Sequence, residues 1–179
     1  MRISVVGTSG CGKSTMAQRI AGALHIPLIE LDAINWQAGW RDLNQHDPQE
    51  FKRRVADAAA ADAWVMAGNY SLVRPIYIAR VTHVVWLDYV RSVVMRRVIW
   101  RSLVRAIDRK ELWPGTGNRE DFRRWLDKDH PIRWAWDTFD KRRQENQARF
   151  AELEPSGVKL IRLKTPSEAD GIIARLQRA

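Results

Sequence analysis

Eight residues near the amino terminus constrain this chain more than any other stretch: Gly7-Thr8-Ser9-Gly10-Cys11-Gly12-Lys13-Ser14, with Thr15 next. The spacing is G-x-x-x-x-G-K-[ST]. The apolar run from Arg2 to Val6 precedes it and predicts a strand. After it, Met16, Ile20 and Leu24 recur at four-residue intervals and give a helix one buried stripe. Between a strand and a helix, glycines at these positions let successive backbone N–H groups turn inward around phosphate oxygens. The helix start adds partial positive charge. In such a loop Lys13 reaches the β and γ phosphates, and the Ser14 hydroxyl ligates magnesium. Gly7, Thr8, Ser9, Gly10, Cys11, Gly12, Lys13, Ser14 and Thr15 are therefore the expected phosphate-binding residues, with Cys11 a small loop residue.

Further apolar runs fall at Pro27 to Leu31, Ala63 to Ala67, His83 to Leu87 and Val158 to Leu163. They are nearly continuous in apolar character rather than alternating, so each is expected to be buried on both faces, with helices crossing between them. The fold class that follows is α/β with a parallel sheet. Asp47-Pro48-Gln49-Glu50 supplies an N-cap, a first-turn proline and a capping-box glutamate for a second helix, and Thr165-Pro166-Ser167-Glu168 repeats the device before the last one. Residues 90 to about 110 predict a long helix, Trp113 to Asn118 a Pro/Gly loop, and 119 to about 153 one or two more helices.

With 179 residues the chain makes one domain. No apolar run approaches the roughly 18 residues of a membrane span, and Met1 leads straight into a strand, so a cytoplasmic protein is expected. A single cysteine excludes intrachain disulfides and cysteine-based zinc cages. The formal charge is +9, and the excess sits in residues 91 to 149, which hold 16 basic and 9 acidic side chains together with five of the nine tryptophans. That segment is expected to face something anionic.

The pattern Gly7-x-x-Gly10-x-Gly12-Lys13-Ser14-Thr15 resembles the P-loop of nucleoside monophosphate kinases and shikimate kinase. The wider chain resembles proteins labelled adenylate kinase-related or putative DNA topology modulation proteins, in Leu31-Asp32-Ala33-Ile34-Asn35-Trp36 with Gly39-Trp40, in Gly68-Asn69-Tyr70, in Glu111-Leu112-Trp113 and in Ile132-Arg133-Trp134-Ala135-Trp136. The resemblance implies a P-loop NTPase of three α/β/α layers, with five parallel strands in the order 2-3-1-4-5. It implies a single domain over 1–179, with residues 97–149 a basic helical lid inserted between strands four and five. ATP and Mg2+ are the implied cofactors. Leu87-Asp88 followed by Arg97 and Arg101 has the spacing of the adenylate kinase lid hinge, whose arginines contact ATP. One departure stands out: adenylate kinases end strand three on Asp-Gly-Phe-Pro-Arg, where this chain has Ala67-Gly68-Asn69-Tyr70-Ser71. Glu30-Leu31-Asp32 resembles instead the Asp-x-Asp of shikimate kinase, which moves the magnesium and acceptor role to Asp32, with Glu30 assisting.

The candidate catalytic residues are thus Lys13, Asp32, Arg97, Arg101 and Arg133, the last on the return helix of the lid with Lys141 and Arg142. Asp32, Trp36 and Arg74 are the candidate acceptor-binding residues, and Ser14 and Asp32 the candidate magnesium contacts. Trp36 and Trp40 either stack on a ring of the acceptor or pack on the protein. Arg97, Arg101, Arg105 and Arg109 recur every four residues. Such like charges destabilise a helix by roughly 0.2–0.5 kcal/mol per pair unless an anion lies beside them. Trp134 and Trp136 cannot share one helical face, so one is expected to pack and the other to border the cleft. Asp88 ends an apolar run but follows strand four, which argues against metal contact. The four histidines lack metal-ligand spacing and are read as structural. The reading is an ATP- and Mg-dependent phosphotransferase acting on a nucleotide, nucleoside or other small hydroxylated acceptor. The alternative is a nucleic-acid-binding ATPase or regulator using the basic segment.

Overall fold

All five apolar runs form strands of one sheet in the computed structural model of the chain, which describes residues 1–121, 123, 125, 127 and 130–177. In chain order the elements are β1 (Arg2–Gly7), α1 (Lys13–Leu24), β2 (Leu28–Glu30), α2 (Leu31–Asn35), β3 (Trp36–Gln37), β4 (Arg41–Asp42), α3 (Leu43–His46), α4 (Pro48–Ala59), β5 (Trp64–Ala67) and α5 (Arg74–Ile78). They continue with β6 (His83–Leu87), α6 (Arg91–Asp108), α7 (Pro131–Leu153), β7 (Lys159–Leu163) and α8 (Ile172–Gln177). Across the parallel sheet the order is β2-β5-β1-β6-β7. Strands β3 and β4 form a separate antiparallel ribbon. Leaving that ribbon out of the count gives the 2-3-1-4-5 order expected.

The sheet is buried on both faces because its strands send apolar side chains both ways. Ile3, Val5, Val65, Val85, Leu87 and Ile161 meet Met16, Ala17 and Ile20 of α1 and Ile172 and Leu176 of α8. On the other face Val6, Ile29, Trp64, Met66, Val84 and Trp86 meet Phe51 and Val55 of α4 and Tyr77 of α5. Helix α6 contributes Val94 and α7 Phe139 to the first cluster, so both arms of the β6–β7 excursion are anchored in the core. Asp88, whose side chain is 2% exposed, closes the far edge: its carboxylate accepts from Arg143 of α7 (Nε, 2.7 Å) and Arg162 of β7 (Nε, 2.9 Å). Both its oxygens are thereby engaged in a structural tie, consistent with its place after β6.

The register puts the strand ends that matter at one level. Gly7 pairs with Leu87, Val5 with Ala67, and Glu30 with Ala67. The loops after β1, β2 and β5 therefore emerge together at the carboxyl edge of the sheet, where open α/β sheets bind ligands.

Candidate active site

After Gly7 the chain turns tightly, with Cys11 N–H donating to the Thr8 carbonyl (3.4 Å), and α1 opens with Met16 N–H on the Gly12 carbonyl (3.0 Å). Gly10 sits at φ +81°, and a Cβ there would lie 2.7 Å from Val98 Cβ of α6, so both its backbone and the helix beside it demand glycine. Gly12 offers α1 no side-chain cap, and the first turn carries no acidic residue. The N-terminal N–H groups of α1 thus face the loop with their partial positive charge uncompensated. Lys13 Nζ spans the loop, donating to the carbonyls of Gly7 (3.1 Å) and Thr8 (2.9 Å). Thr8 Oγ1 is buried with no partner, and Ser14 and Thr15 are exposed. Cys11 is fully buried, and burial pushes its thiol up, which makes it a packing residue.

Two neighbours close on this loop. Asn69, two residues past β5, donates Nδ2–H to the Gly7 carbonyl (2.5 Å), while its buried Oδ1 has no partner. It occupies the stretch where the adenylate kinase pattern has its carboxylate, so the departure itself was the only signal for it. Arg97 of α6 donates to the Cys11 carbonyl (2.8 Å) and lies over the Tyr89 ring, 4.9 Å from its centroid. One turn on, Arg101 is half-buried, and its Nε is buried without a partner. Burial above all, then the like charge of Arg105, holds its guanidinium below the usual value; Glu120 and Asp32 pull the other way. Arg101 therefore lies within the electrostatic reach of Asp32 and of the loop. The row of four arginines does not persist: Arg109 is the exposed left-handed C-cap of α6. Facing outward on α6 are Ile99, Trp100, Leu103, Val104 and Ile107.

Asp32 stands in the first turn of α2. Its approach depends on Gly68, at φ +142°, where a Cβ would meet Leu31 Cβ at 2.7 Å. The Tyr70 hydroxyl donates to Asp32 Oδ1 (2.8 Å), and burial followed by the Asp32 charge pushes that phenol far up, so it stays a donor. Trp36 closes α2, its backbone N–H donating to the Asp32 carbonyl. Trp36 is stacked on Trp113 (6.3 Å between centroids, 18° between planes), and Trp40 meets both edge-on at 5.7 and 5.9 Å. The tryptophans of the acceptor region thus pack on each other and on the loop between α6 and α7. Asn118 seals the contact: its Oδ1 accepts from Trp40 N–H and its Nδ2 donates to the Gln37 carbonyl, both at 2.9 Å. Sequence reasoning assigned no role to Tyr70 or Asn118, because the partners of each lie tens of residues away.

Other expected residues lie apart from this cluster. Arg133 pairs with Asp137 (2.6 Å) at the exposed start of α7. Arg74 opens α5 and lines a small cavity with Val6, Tyr77, Asn146 and Arg149. Glu30 borders a shallow apolar depression with Ala33, Ile34 and Ala58 instead of accompanying Asp32. Trp134 and Trp136 are both exposed, and neither packs into the core; Arg142 covers one and Arg91 the other. Buried His130 caps α7 by accepting from Ile132 N–H (3.3 Å) and bonds Glu120 through Nε2 (2.8 Å), a structural role as expected.

Among the described residues no group of three or more His, Cys, Asp or Glu side chains could hold a metal unaided. Magnesium bound with a nucleotide needs only one or two protein ligands beside phosphates, a number that the exposed Ser14 hydroxyl at the start of α1 can meet. The loop fits a nucleoside triphosphate: unpartnered Thr8 Oγ1 and Asn69 Oδ1, an uncapped helix start, and three cations at its rim.

No protein-family model matches the chain, and no curated protein matches it. Solved structures do. A shikimate kinase from Aquifex aeolicus superposes with TM-score 0.56 at 18% identity, covering 99% of this chain and 96% of that one. Another, from Acinetobacter baumannii in complex with shikimate, gives TM-score 0.58 at 15% identity over 99% and 93%. A gluconokinase from Sinorhizobium meliloti gives 0.53 at 18% identity over 99% and 93%. Full-length coverage and TM-scores above 0.5 agree in one conclusion: the chain has the P-loop fold of these small-molecule kinases.

Proposed function

We propose that this chain is an ATP- and Mg-dependent phosphotransferase that phosphorylates a hydroxyl of a small acceptor. The observation that carries the reading is Arg101, whose buried Nε has no hydrogen-bond partner and whose charge lies within reach of both Cys11 of the phosphate loop and Asp32. A desolvated cation without a partner is costly, and an anion placed between loop and carboxylate would satisfy it. Mg-ATP, when bound, supplies the transferable phosphoryl group and neutralises part of its charge.

The chain's own residues do the rest. Backbone N–H groups from Gly10 to Thr15 hold phosphate oxygens, and Lys13 swings from the loop carbonyls onto them. Arg97 and Arg101 add positive charge where a phosphoryl group passes, which is how such sites act, by positioning and electrostatics. Asp32, oriented by Tyr70, accepts the hydroxyl proton of the acceptor. Ser14 serves magnesium, while Asp32, with Oδ1 taken by Tyr70, keeps to the acceptor. Within residues 97–149, the part beyond the arms anchored through Val94 and Phe139 acts as a lid that shields the reaction from water, and Arg133 joins the cleft when it shuts, while Arg74 stays apart on α5. The kinase neighbours, shikimate kinase and gluconokinase, point to a hydroxylated acid as acceptor class. A nucleic-acid partner finds less support, since Arg97 turns inward onto the phosphate loop and Ile99, Trp100, Leu103, Val104 and Ile107 are exposed on α6.

The test is ADP release with Mg-ATP, alone and with hydroxylated acids, nucleosides, nucleoside monophosphates and DNA, with Lys13→Ala as blank. Stimulation by one small molecule supports the kinase and names its acceptor class. Stimulation by DNA alone overturns it.

A further inference from the structure

The carboxylate at Asp32 is not held by its own element. Its donor is Tyr70, from the loop after β5, at 2.8 Å. The Tyr70 ring is pinned edge-on against core Phe51, 5.1 Å away, so the phenol has a fixed reach. Trp36, whose backbone N–H donates to the Asp32 carbonyl at the end of α2, lies stacked on Trp113, which belongs to the loop between α6 and α7. That loop is fastened by more than rings. Asn118 is 2% exposed, and its side-chain amide uses both ends on the backbone of 37–40. Its own carbonyl accepts from Leu112 N–H (2.8 Å), which closes the loop on itself. Trp40 is held at φ +61°, a left-handed conformation that a bulky side chain adopts only when its surroundings impose it. Its N–H is the group that Asn118 takes.

A chain of contacts therefore runs from Asn118 and Trp113 through Trp36 to Asp32, and from Asp32 to Tyr70, joining one excursion of the fold to the acceptor side of another. Each link is a hydrogen bond or a ring contact, and those made by Asn118, Trp113 and Tyr70 join segments far apart in sequence. If loop 111–118 lifts, Trp36 loses its stacking partner and Trp40 the bond that holds its strained turn. Trp36 is then free to release the end of α2, and Tyr70 alone no longer fixes the carboxylate.

We propose that Tyr70 and Trp36 are positioning residues for Asp32, and that the seating of loop 111–118 on Trp36 and Trp40 sets whether that carboxylate is aimed into the cleft. The proposal rests on the kinase reading for the task of Asp32, but the coupling itself is independent of any activity. Segment 31–42 and loop 111–118 engage and release as one unit, so the acceptor side and the lid loop cannot open separately.

The experiment is hydrogen–deuterium exchange with peptide resolution on the full chain, in the wild type, Trp113→Leu, Trp113→Phe and Tyr70→Phe. Trp113→Leu is expected to speed exchange in 31–42 and around Tyr70 by about tenfold or more while α1 and β6 keep their rates. Tyr70→Phe, which removes one oxygen from the other end of the chain, is expected to speed exchange in 111–118 as well. Trp113→Phe restores part of the protection. Faster exchange confined to the mutated segment in both variants overturns the coupling. Should Trp113→Leu fail to fold, Tyr70→Phe decides alone by its effect on 111–118. Once an acceptor is known, Tyr70→Phe should lower kcat about tenfold with both KM values within about twofold, as loss of an aimed base requires. A rise in acceptor KM at constant kcat would instead make Tyr70 a binding group. If no acceptor emerges, the kinase reading fails on that ground while the exchange result stands by itself.

Discussion

Arg101 keeps a buried Nε without a partner, and its environment separates a functional cation from a structural one. A guanidinium that serves the fold should lower stability when removed. One that awaits an anion should not, since its burial is a cost to the empty protein. Arg101→Met is therefore expected to leave the melting temperature unchanged or raise it, while Mg-ATP affinity measured by calorimetry falls about tenfold or more, some 1.4 kcal/mol. Asp88 makes the converse case. Removing a carboxylate that two guanidinium groups share should cost about 2 kcal/mol for Asp88→Ala in urea denaturation. That is less than for a fully buried pair, because Arg143 and Arg162 keep part of their hydration. At this scale the sequence was legible where one segment carries the whole chemistry, as in Gly7 to Thr15. It was opaque where the role depends on a remote partner. Nothing local marks Tyr70, and only the departure from the adenylate kinase pattern marks Asn69, since the carboxylate and carbonyl they bind stand 38 and 62 residues away.

Elements were legible to the extent that their signals are local. Asp47 caps α4 as expected, accepting from Glu50 N–H (3.1 Å), but Glu50 does not complete the box: its carboxylate is taken by Arg53 (2.8 Å) and Arg54 (2.7 Å). Those hydrogen bonds pull its pKa down to about 2 from 4.5. A depressed carboxylate adds stability above its unfolded value and loses it as pH falls through the folded one. The stability difference between wild type and Glu50→Gln should accordingly be constant above about pH 5, shrink between about pH 4.5 and pH 2, and weaken with salt. A difference that grows on acidification would contradict the geometry. Near the carboxyl terminus, Thr165 and Glu168 do form a reciprocal cap, to Glu168 N–H (3.4 Å) and Lys164 N–H (2.7 Å), yet it opens the short turn Ser167–Ala169 rather than α8. Capping residues announce that a helical turn begins, and burial decides how far it runs.

At the scale of the molecule, continuous apolar runs announced a parallel sheet, and the glycine loop fixed where its ligand edge lies. The acceptor side was harder to read. Whether Trp36 and Trp40 bind a ring or each other depends on where Trp113 lands, and that is a property of the folded excursion between β6 and β7. The basic surplus of residues 91–149 likewise divides only in three dimensions, with Arg97 on the phosphate loop and Arg143 on Asp88. A ligand held by elements from the whole carboxyl edge should stabilise the whole fold. Mg-ATP at about 100 times its Kd is expected to add about 2.7 kcal/mol to unfolding of the wild type, and nothing to Lys13→Ala.

The central claim is that one cleft holds two separable tasks, phosphate binding at Gly7–Thr15 and acceptor activation at Asp32. It is tested most directly by following Mg-ATP binding and acceptor-stimulated ADP release in the same preparations of wild type, Lys13→Ala and Asp32→Asn. The account predicts that Lys13→Ala loses both, while Asp32→Asn binds Mg-ATP within about threefold of wild type and loses stimulated release by at least about a hundredfold, the usual scale of a general base. Undiminished release in Asp32→Asn would contradict it.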